Sequence, residues 1–247
     1  MATASVADQQ TILAVQALDT RAQQLVHQRR TLPIHAKIAE YGERLADLER
    51  ALVASRTEAA DLTLEAKKAE HEVALVRERA VRDQALLDAG KVSAKEAQAL
   101  LAELDSLKVR QGRLEEVELD VMERLEAHQA TLAQLEQAYD GTVADRNRAV
   151  RERDDEVAAI DAQRKDVARE RAAAVEGLDV TLLATYERLR DQLGGLGAAR
   201  LEGRRCGGCR MELNPVDLSK IAAASAETLV RCEECGRLLV RPIGQDA

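Results

Sequence analysis

The sequence predicts a mainly α fold, a long antiparallel coiled-coil hairpin joined to a small C-terminal C4 zinc-ribbon domain. Three observations carry that prediction. Apolar residues recur at heptad spacing through most of the chain, a glycine followed by a helix-start signal interrupts them near the middle, and the only four cysteines lie close to the end. Composition agrees: 247 residues hold no Phe, no Trp and three Tyr, too few aromatics for a globular core of this length.

The first 178 residues are read as the hairpin. From Ile34 the apolar positions step by four and three through Ile38, Tyr41, Leu45, Leu48, Leu52, Ala59, Leu62, Ala66, Ala69, Val73, Val76, Ala80 and Leu87, with Ser55 and Asp83 as polar breaks. At the tip, Gly90 suits the left-handed residue that ends a helix, and Ser93 with Glu96 forms a capping box that starts the next. The return seam is Leu100, Leu104, Leu107, Leu114, Val121, Leu125, Leu132, Leu135 and Tyr139, broken by Gln111, Glu118 and His128. A turn at Gly90 favours arms folded back within one chain over a parallel rod between two chains. A register symmetric about Gly90 puts Leu45 by Leu135, Ala59 by Val121, Ala66 by Leu114 and Tyr41 by Tyr139. Pro33 removes a helical hydrogen bond from the first arm, and the second has a stutter beside Gly141, so a kink is expected near both. Beyond it, Leu32, Leu25, Ala22, Leu18 and Val15 are expected to face Val150, Val157, Ile160 and Val167.

Residues 179–198 read as a further helix around Leu182 to Leu193, containing Tyr186, and a linker with hinge potential, Gly194-Gly195-Leu196-Gly197. Residues 199–247 are the expected zinc ribbon. Cys206-x2-Cys209 and Cys232-x2-Cys235, separated by twenty-two residues, have the spacing that wraps two thiolate knuckles around one tetrahedral zinc. Iron in a similar four-thiolate site is the competing metal, disfavoured because this head has no aromatic to cover it. Met211 to Leu213, Thr228 to Arg231 and Leu238 to Arg241 are expected short strands, and Asn214-Pro215 starts a short Ala-rich helix. Four thiolates leave zinc no open position, so one structural Zn2+ is the only cofactor expected.

Charge and motifs narrow the function. The net charge of −8 argues against a surface coated for nucleic acid, but arginines cluster locally. Arg204, Arg205, Arg210 and Arg237 flank the knuckles and are the candidate nucleic-acid or partner contacts; Arg29, Arg30, Arg146, Arg148, Arg151 and Arg153 form a second group on the rod. The blander reading, and the favoured one, is that the first group screens the anionic metal site and the second pairs with nearby acids. His27, His35, His71 and His128 are scattered along helices away from the cysteines, and there is no phosphate loop, nucleophile motif or paired-carboxylate pocket. No catalytic residue, enzymatic activity or small-molecule substrate is therefore expected. The segment MATASVADQQ lacks a basic stretch followed by an apolar run, and no segment reaches the ~18 apolar residues of a membrane span. A cytoplasmic protein without membrane contact is the expectation.

The whole chain resembles the bacterial family that joins an N-terminal coiled-coil hairpin to a C-terminal C4-type zinc ribbon. The residues carrying the resemblance are Lys95-Glu96 with Ala99-Leu100, Leu114-Glu115-Glu116 with Met122-Glu123, Tyr186, and the two knuckles with the tail Cys235-Gly236-Arg237-Leu238-Leu239. Val240 stands where an aromatic often follows in the family, and the Ala- and Arg-rich composition looks similar to actinobacterial members. The resemblance implies regulation of flagella or secretion systems through protein and RNA binding. Two functions follow as expectations: a non-enzymatic adaptor or regulator that grips a protein partner, and, as the alternative, an RNA- or DNA-binding regulator using the ribbon arginines. A polymerase secondary-channel factor ranks third, since the tip offers only Asp88 beside Gly90 and Lys91.

Overall fold

The computed structural model describes residues 2–242, so the last five positions of the expected head, 243–247, lie outside the described residues. Nine elements follow one another: α1 (Val6–Arg30), α2 (Ile34–Asp88), α3 (Ala94–Val175), α4 (Val180–Gln192), β1 (Ala198–Glu202), β2 (Arg205–Cys206), α5 (Pro215–Ala223), β3 (Val230–Arg231) and β4 (Leu238–Val240). The chain divides into two compact units, Met1–His35 with Arg151–Ala247, and Ala36–Val150.

The second unit is the hairpin. Leu45, Leu52, Leu62, Ala69, Val73 and Val76 of α2 and Leu107 and Val121 of α3 are buried, as the heptad steps require. At the turn Gly90 adopts φ +63°. The capping box forms reciprocally: Ser93 N–H donates to Glu96 Oε2 at 2.8 Å and Glu96 N–H to Ser93 Oγ at 3.3 Å. The polar breaks of the two seams meet each other. His128 Nε2 lies 2.9 Å from the Ser55 carbonyl and 3.0 Å from Ser55 Oγ, where mirror symmetry about Gly90 would have put Leu125. Tyr139 likewise donates its hydroxyl to Glu49, at 3.0 Å, eight residues past the Tyr41 expected beside it. The arms are thus offset by several residues from the symmetric register, because the turn spans more chain than Gly90 alone. Cross-arm ion pairs, Arg79–Glu103 at 2.8 Å and Arg77–Glu115 at 2.6 Å, decorate the exposed edges. Solvated pairs of this kind set register more than stability.

Pro33 does break the first arm, at Thr31–Pro33, whereas α3 stays helical through Gly141. Proline lacks the N–H and clashes with the preceding turn; glycine keeps its hydrogen bond and costs only about 1 kcal/mol.

The first unit packs α1, the end of α3, α4 and the ribbon. Leu25, Leu32, Ile160 and Val167 form one cluster, with Leu18, Ala22 and Val157 around it, continuing the expected seam. A second cluster joins Ile12 and Val15 of α1 to Leu182, Tyr186 and Leu189 of α4 and to Ala198 and Leu238 of the ribbon sheet. Residues 178 and 199, the expected boundaries, both fall inside this unit. The four-stranded sheet has the order β2-β1-β4-β3, with β1 parallel to β4 and the outer pairs antiparallel. β1 and β2 lie outside the expected strands, and the expected strand Met211–Leu213 is reduced to a single bridge between Arg205 and Glu212. Ala198-Ala199-Arg200-Leu201-Glu202 has helical propensity, which the ladder to β4 overrides.

The linker expected to hinge is tied down. Gln16 Oε1 accepts from the N–H groups of Gly197 (2.7 Å) and Ala198 (3.2 Å), and its Nε2 donates to the Gly195 carbonyl (3.0 Å). At Gly197 an added Cβ would sit 2.8 Å from the Tyr186 carbonyl, so only glycine allows this approach of α4 to β1.

Candidate functional site

Cys206 ends β2, Cys209 follows the Gly207-Gly208 turn, and Cys232 and Cys235 flank the turn between β3 and β4. All four sulfurs lie within 4.8 Å of one another, and Cys206–Cys235 and Cys209–Cys232 are each 3.9 Å apart. Tetrahedral zinc with bonds of about 2.3 Å requires sulfurs about 3.8 Å apart. The centre therefore fits one structural zinc ion, closed on all sides by thiolates.

Each knuckle aims backbone N–H groups at sulfur. Gly208 N–H reaches Cys206 Sγ at 3.4 Å. Burial pushes the Cys206 thiol up and the Cys232 thiol up to about 12. Burial also raises Cys235, but the backbone N–H and guanidinium of Arg237 outweigh it and bring that thiol down to about 7. Since a metal takes only thiolates, zinc loading displaces the protons of Cys206 and Cys232 and strengthens as pH rises. A Cβ added at Gly208 would sit 2.8 Å from Arg237 Cδ and 3.1 Å from Ala199 Cβ, so a larger residue there pushes on the Arg237 side chain. The residue after each second cysteine is left-handed, Gly236 at φ +74° and Arg210 at φ +62°.

The four arginines singled out by the sequence take different places. Arg204 pairs with Glu212 at 3.2 Å. Arg205 and Arg210 are exposed and have no ion-pair partner among the described residues. Arg237 is a brace: its Nε donates to the Leu196 carbonyl at 2.9 Å and its Nη2 to the Leu193 carbonyl at 3.4 Å, joining the second knuckle to the glycine segment. Arg241 acts similarly, donating to the carbonyls of Ile221, Ala224, Ser225, Ala226 and Thr228 and so holding the loop after α5.

Sequence reasoning also missed what braces the ribbon from α1. Ala4 N–H donates to the Glu227 carbonyl at 2.8 Å and Leu229 N–H to the Ala2 carbonyl at 3.0 Å, an isolated antiparallel bridge between Thr3 and Thr228 that straps residues 2–4 to the ribbon loop. Gln9 Nε2 donates to the Ala226 carbonyl at 3.0 Å. Deeper in the unit, Asp19 accepts from Tyr186 Oη (2.7 Å), Arg171 Nε (2.6 Å) and Arg190 Nη1 (2.8 Å). Burial alone would raise the Asp19 carboxyl, but these donors, Arg171 foremost, hold it below the usual carboxylate range. The only sequence signal was negative: Gln9, Gln16 and Asp19 lie on the same helix as the seam residues Val15 and Leu18, so α1 buries more than one stripe.

Fold and centre together define a coiled-coil hairpin protein with a C4-type zinc ribbon. The chain belongs to the family of the CT398-like coiled coil hairpin domain, which matches residues 15–194, and its C4-type zinc ribbon domain matches residues 205–239. It is 37% identical over 238 residues to the Mycobacterium tuberculosis protein Rv2229c, covering 96% of this chain and 97% of that one. A solved structure from Mycobacterium smegmatis is 32% identical with a TM-score of 0.84, covering 97% of this chain and all of the other. CT398 from Chlamydia trachomatis, 22% identical with a TM-score of 0.64 over 95% of this chain and 98% of that one, shares the fold. The two matching family descriptions name a coiled-coil hairpin and a C4-type zinc ribbon, and neither description names an activity. No helix among the described residues is long and apolar enough to cross a membrane.

Proposed function

We propose that the protein is a non-enzymatic adaptor, in which Cys206, Cys209, Cys232 and Cys235 hold one structural zinc and the hairpin offers a docking face to a protein partner. One observation carries this reading. Val53, Leu64, Leu75 and Leu86 recur every eleven residues on α2, and each is at least half exposed. Eleven residues make about three helical turns, so the four lie near one line, a row of exposed apolar side chains that the heptad seam does not use. Nuclease-treated lysate passed over the full-length protein should yield a partner that the Leu64→Glu, Leu75→Glu double variant, still helical, no longer retains. A partner recovered equally by both, or recovered only before nuclease treatment, counts against it.

The backbone at Arg210 favours a second reading, an RNA- or DNA-binding regulator. A left-handed conformation costs a side-chain-bearing residue about 1–2 kcal/mol, and the matching position of the other knuckle is glycine. An arginine held at that cost, beside an Arg205 with no ion-pair partner among the described residues, supports a phosphate contact. Replacing Arg204, Arg205 and Arg210 with Gln should then flatten the slope of log affinity for single-stranded RNA against log salt by about 0.7 per lost contact. Equal, salt-insensitive binding by both proteins rejects this reading. Arg237 is omitted from the test because its loss would disturb the ribbon itself.

A further inference from the structure

A groove of about 550 Å3 opens within the first unit, between the end of α1 and α3, lined by Val26, Arg29, Arg30, His35, Arg153, Asp154 and Val157. Three guanidinium groups share it with one carboxylate. That carboxylate is already engaged, since Asp154 Oδ1 accepts from Arg153 Nε at 3.0 Å and Nη2 at 2.6 Å. Arg29 approaches Asp161 only at 3.7 Å, outside hydrogen-bond range, while Asp161 is bonded at 2.9 Å to Arg164. Arg30 is exposed and has no ion-pair partner among the described residues. Three cations against one anion leave the groove an excess of two positive charges. Elsewhere on the rod Arg56, Arg77, Arg148 and Arg169 each pair with an acid on a neighbouring turn or the facing arm.

His35 is fixed beside the arginines. Its Nε2 lies 3.1 Å from the Arg29 carbonyl, and because a carbonyl only accepts, Nε2 carries the proton of the bond. Val26, half exposed, and Val157 give the same groove an apolar wall. Guanidinium forks match phosphate oxygens in pairs, and a charge excess of two matches a phosphate dianion. The wall adds room for an apolar group attached to it, and the volume is within the range of small-ligand sites.

We propose that this groove binds an organic phosphomonoester, with Arg29, Arg30 and Arg153 taking the phosphate and Val26 and Val157 taking the group it is attached to. The inference stands apart from either function above, since it uses neither the ribbon arginines nor the exposed stripe of α2. The phosphate can come from a small molecule or from a phosphorylated side chain, and the test separates these.

The zinc-loaded full-length protein, isotope-labelled, is titrated with phenyl phosphate, inorganic phosphate and a phosphotyrosine peptide while the Val26 and Val157 methyl and His35 ring resonances are followed by NMR. Phenyl phosphate should shift all three saturably and bind tighter than inorganic phosphate. Arg30→Gln should weaken it at least about tenfold, the loss of one charge-assisted hydrogen bond, Arg153→Gln should act similarly, and Arg169→Gln, outside the groove, should change nothing. Tighter binding of the peptide than of phenyl phosphate assigns the phosphate to a protein side chain, and equal or weaker binding assigns it to a small molecule. Absence of saturable shifts, inorganic phosphate binding as tightly as phenyl phosphate, or insensitivity to Arg30→Gln overturns the proposal. If Arg153→Gln perturbs the fold, Arg30→Gln decides alone, because Arg30 has no ion-pair partner to lose among the described residues.

Discussion

Asp19 is a buried charge inside the first unit. Its carboxylate is 5% exposed and faces two arginines and a tyrosine hydroxyl. Arg171 and Arg190 keep Glu187 as a second partner, so Asp19→Asn removes one of their two counter-charges and the charged acceptor of the buried Tyr186 hydroxyl, and should destabilise the unit by about 2 kcal/mol. The acid response follows from the direction of the shift. A carboxyl held below its ordinary value of about 3.9 contributes its stability at neutral pH and loses it as pH falls through the depressed folded value. Urea unfolding at neutral and acid pH should therefore show wild type losing stability on acidification while Asp19→Asn, already lacking the term, loses less; parallel losses would contradict this role. The cysteines were legible from spacing alone, because metal geometry dictates it. Asp19, Gln16 and the bracing role of Arg237 were not, since their partners lie far along the chain, Tyr186 and Arg171 for Asp19, Gly197 for Gln16 and Leu196 for Arg237. A charged side chain on a helix reads as solvated until the facing surface is known.

Among the elements, the hairpin turn was legible to the residue. Gly90 and the Ser93–Glu96 box are local chemistry, and both formed as the sequence dictates. The register between α2 and α3 was less so: heptad seams fit one another at several offsets, and only the pairing of polar breaks chooses among them. Ser55 against His128 is that choice. Cysteines at Ser55→Cys and His128→Cys should crosslink within one chain at high dilution, whereas a pair at Tyr41→Cys and Tyr139→Cys, the symmetric alternative, should crosslink more slowly. Crosslinks only between chains would overturn the intramolecular hairpin, and preference for the tyrosine pair would overturn the offset. The strand β1 was hidden for a different reason, as its ladder partner β4 lies nearly forty residues later and its own composition favours helix.

At the scale of the molecule, the two units rest on different physics. The hairpin unit buries a continuous apolar seam and contains none of the four cysteines. In the first unit the ribbon core is small, Ala199, Leu213, Ile221 and Leu239 around Cys206 and Cys232, and a core of this size depends on its metal. The chain's first residues and Gln9 and Gln16 of α1 are bonded to the ribbon and the segment before it, so metal loss reaches them as well. Amide hydrogen exchange before and after zinc chelation tests this division most directly. Chelation should strip protection from Leu213, Leu229, Cys232 and Leu238 and from the strap at Ala4, while Leu62, Val73 and Val121 of the hairpin keep theirs. Protection that survives chelation in the ribbon, or hairpin amides that are lost in step with it, would contradict a metal-dependent ribbon unit beside a metal-independent hairpin.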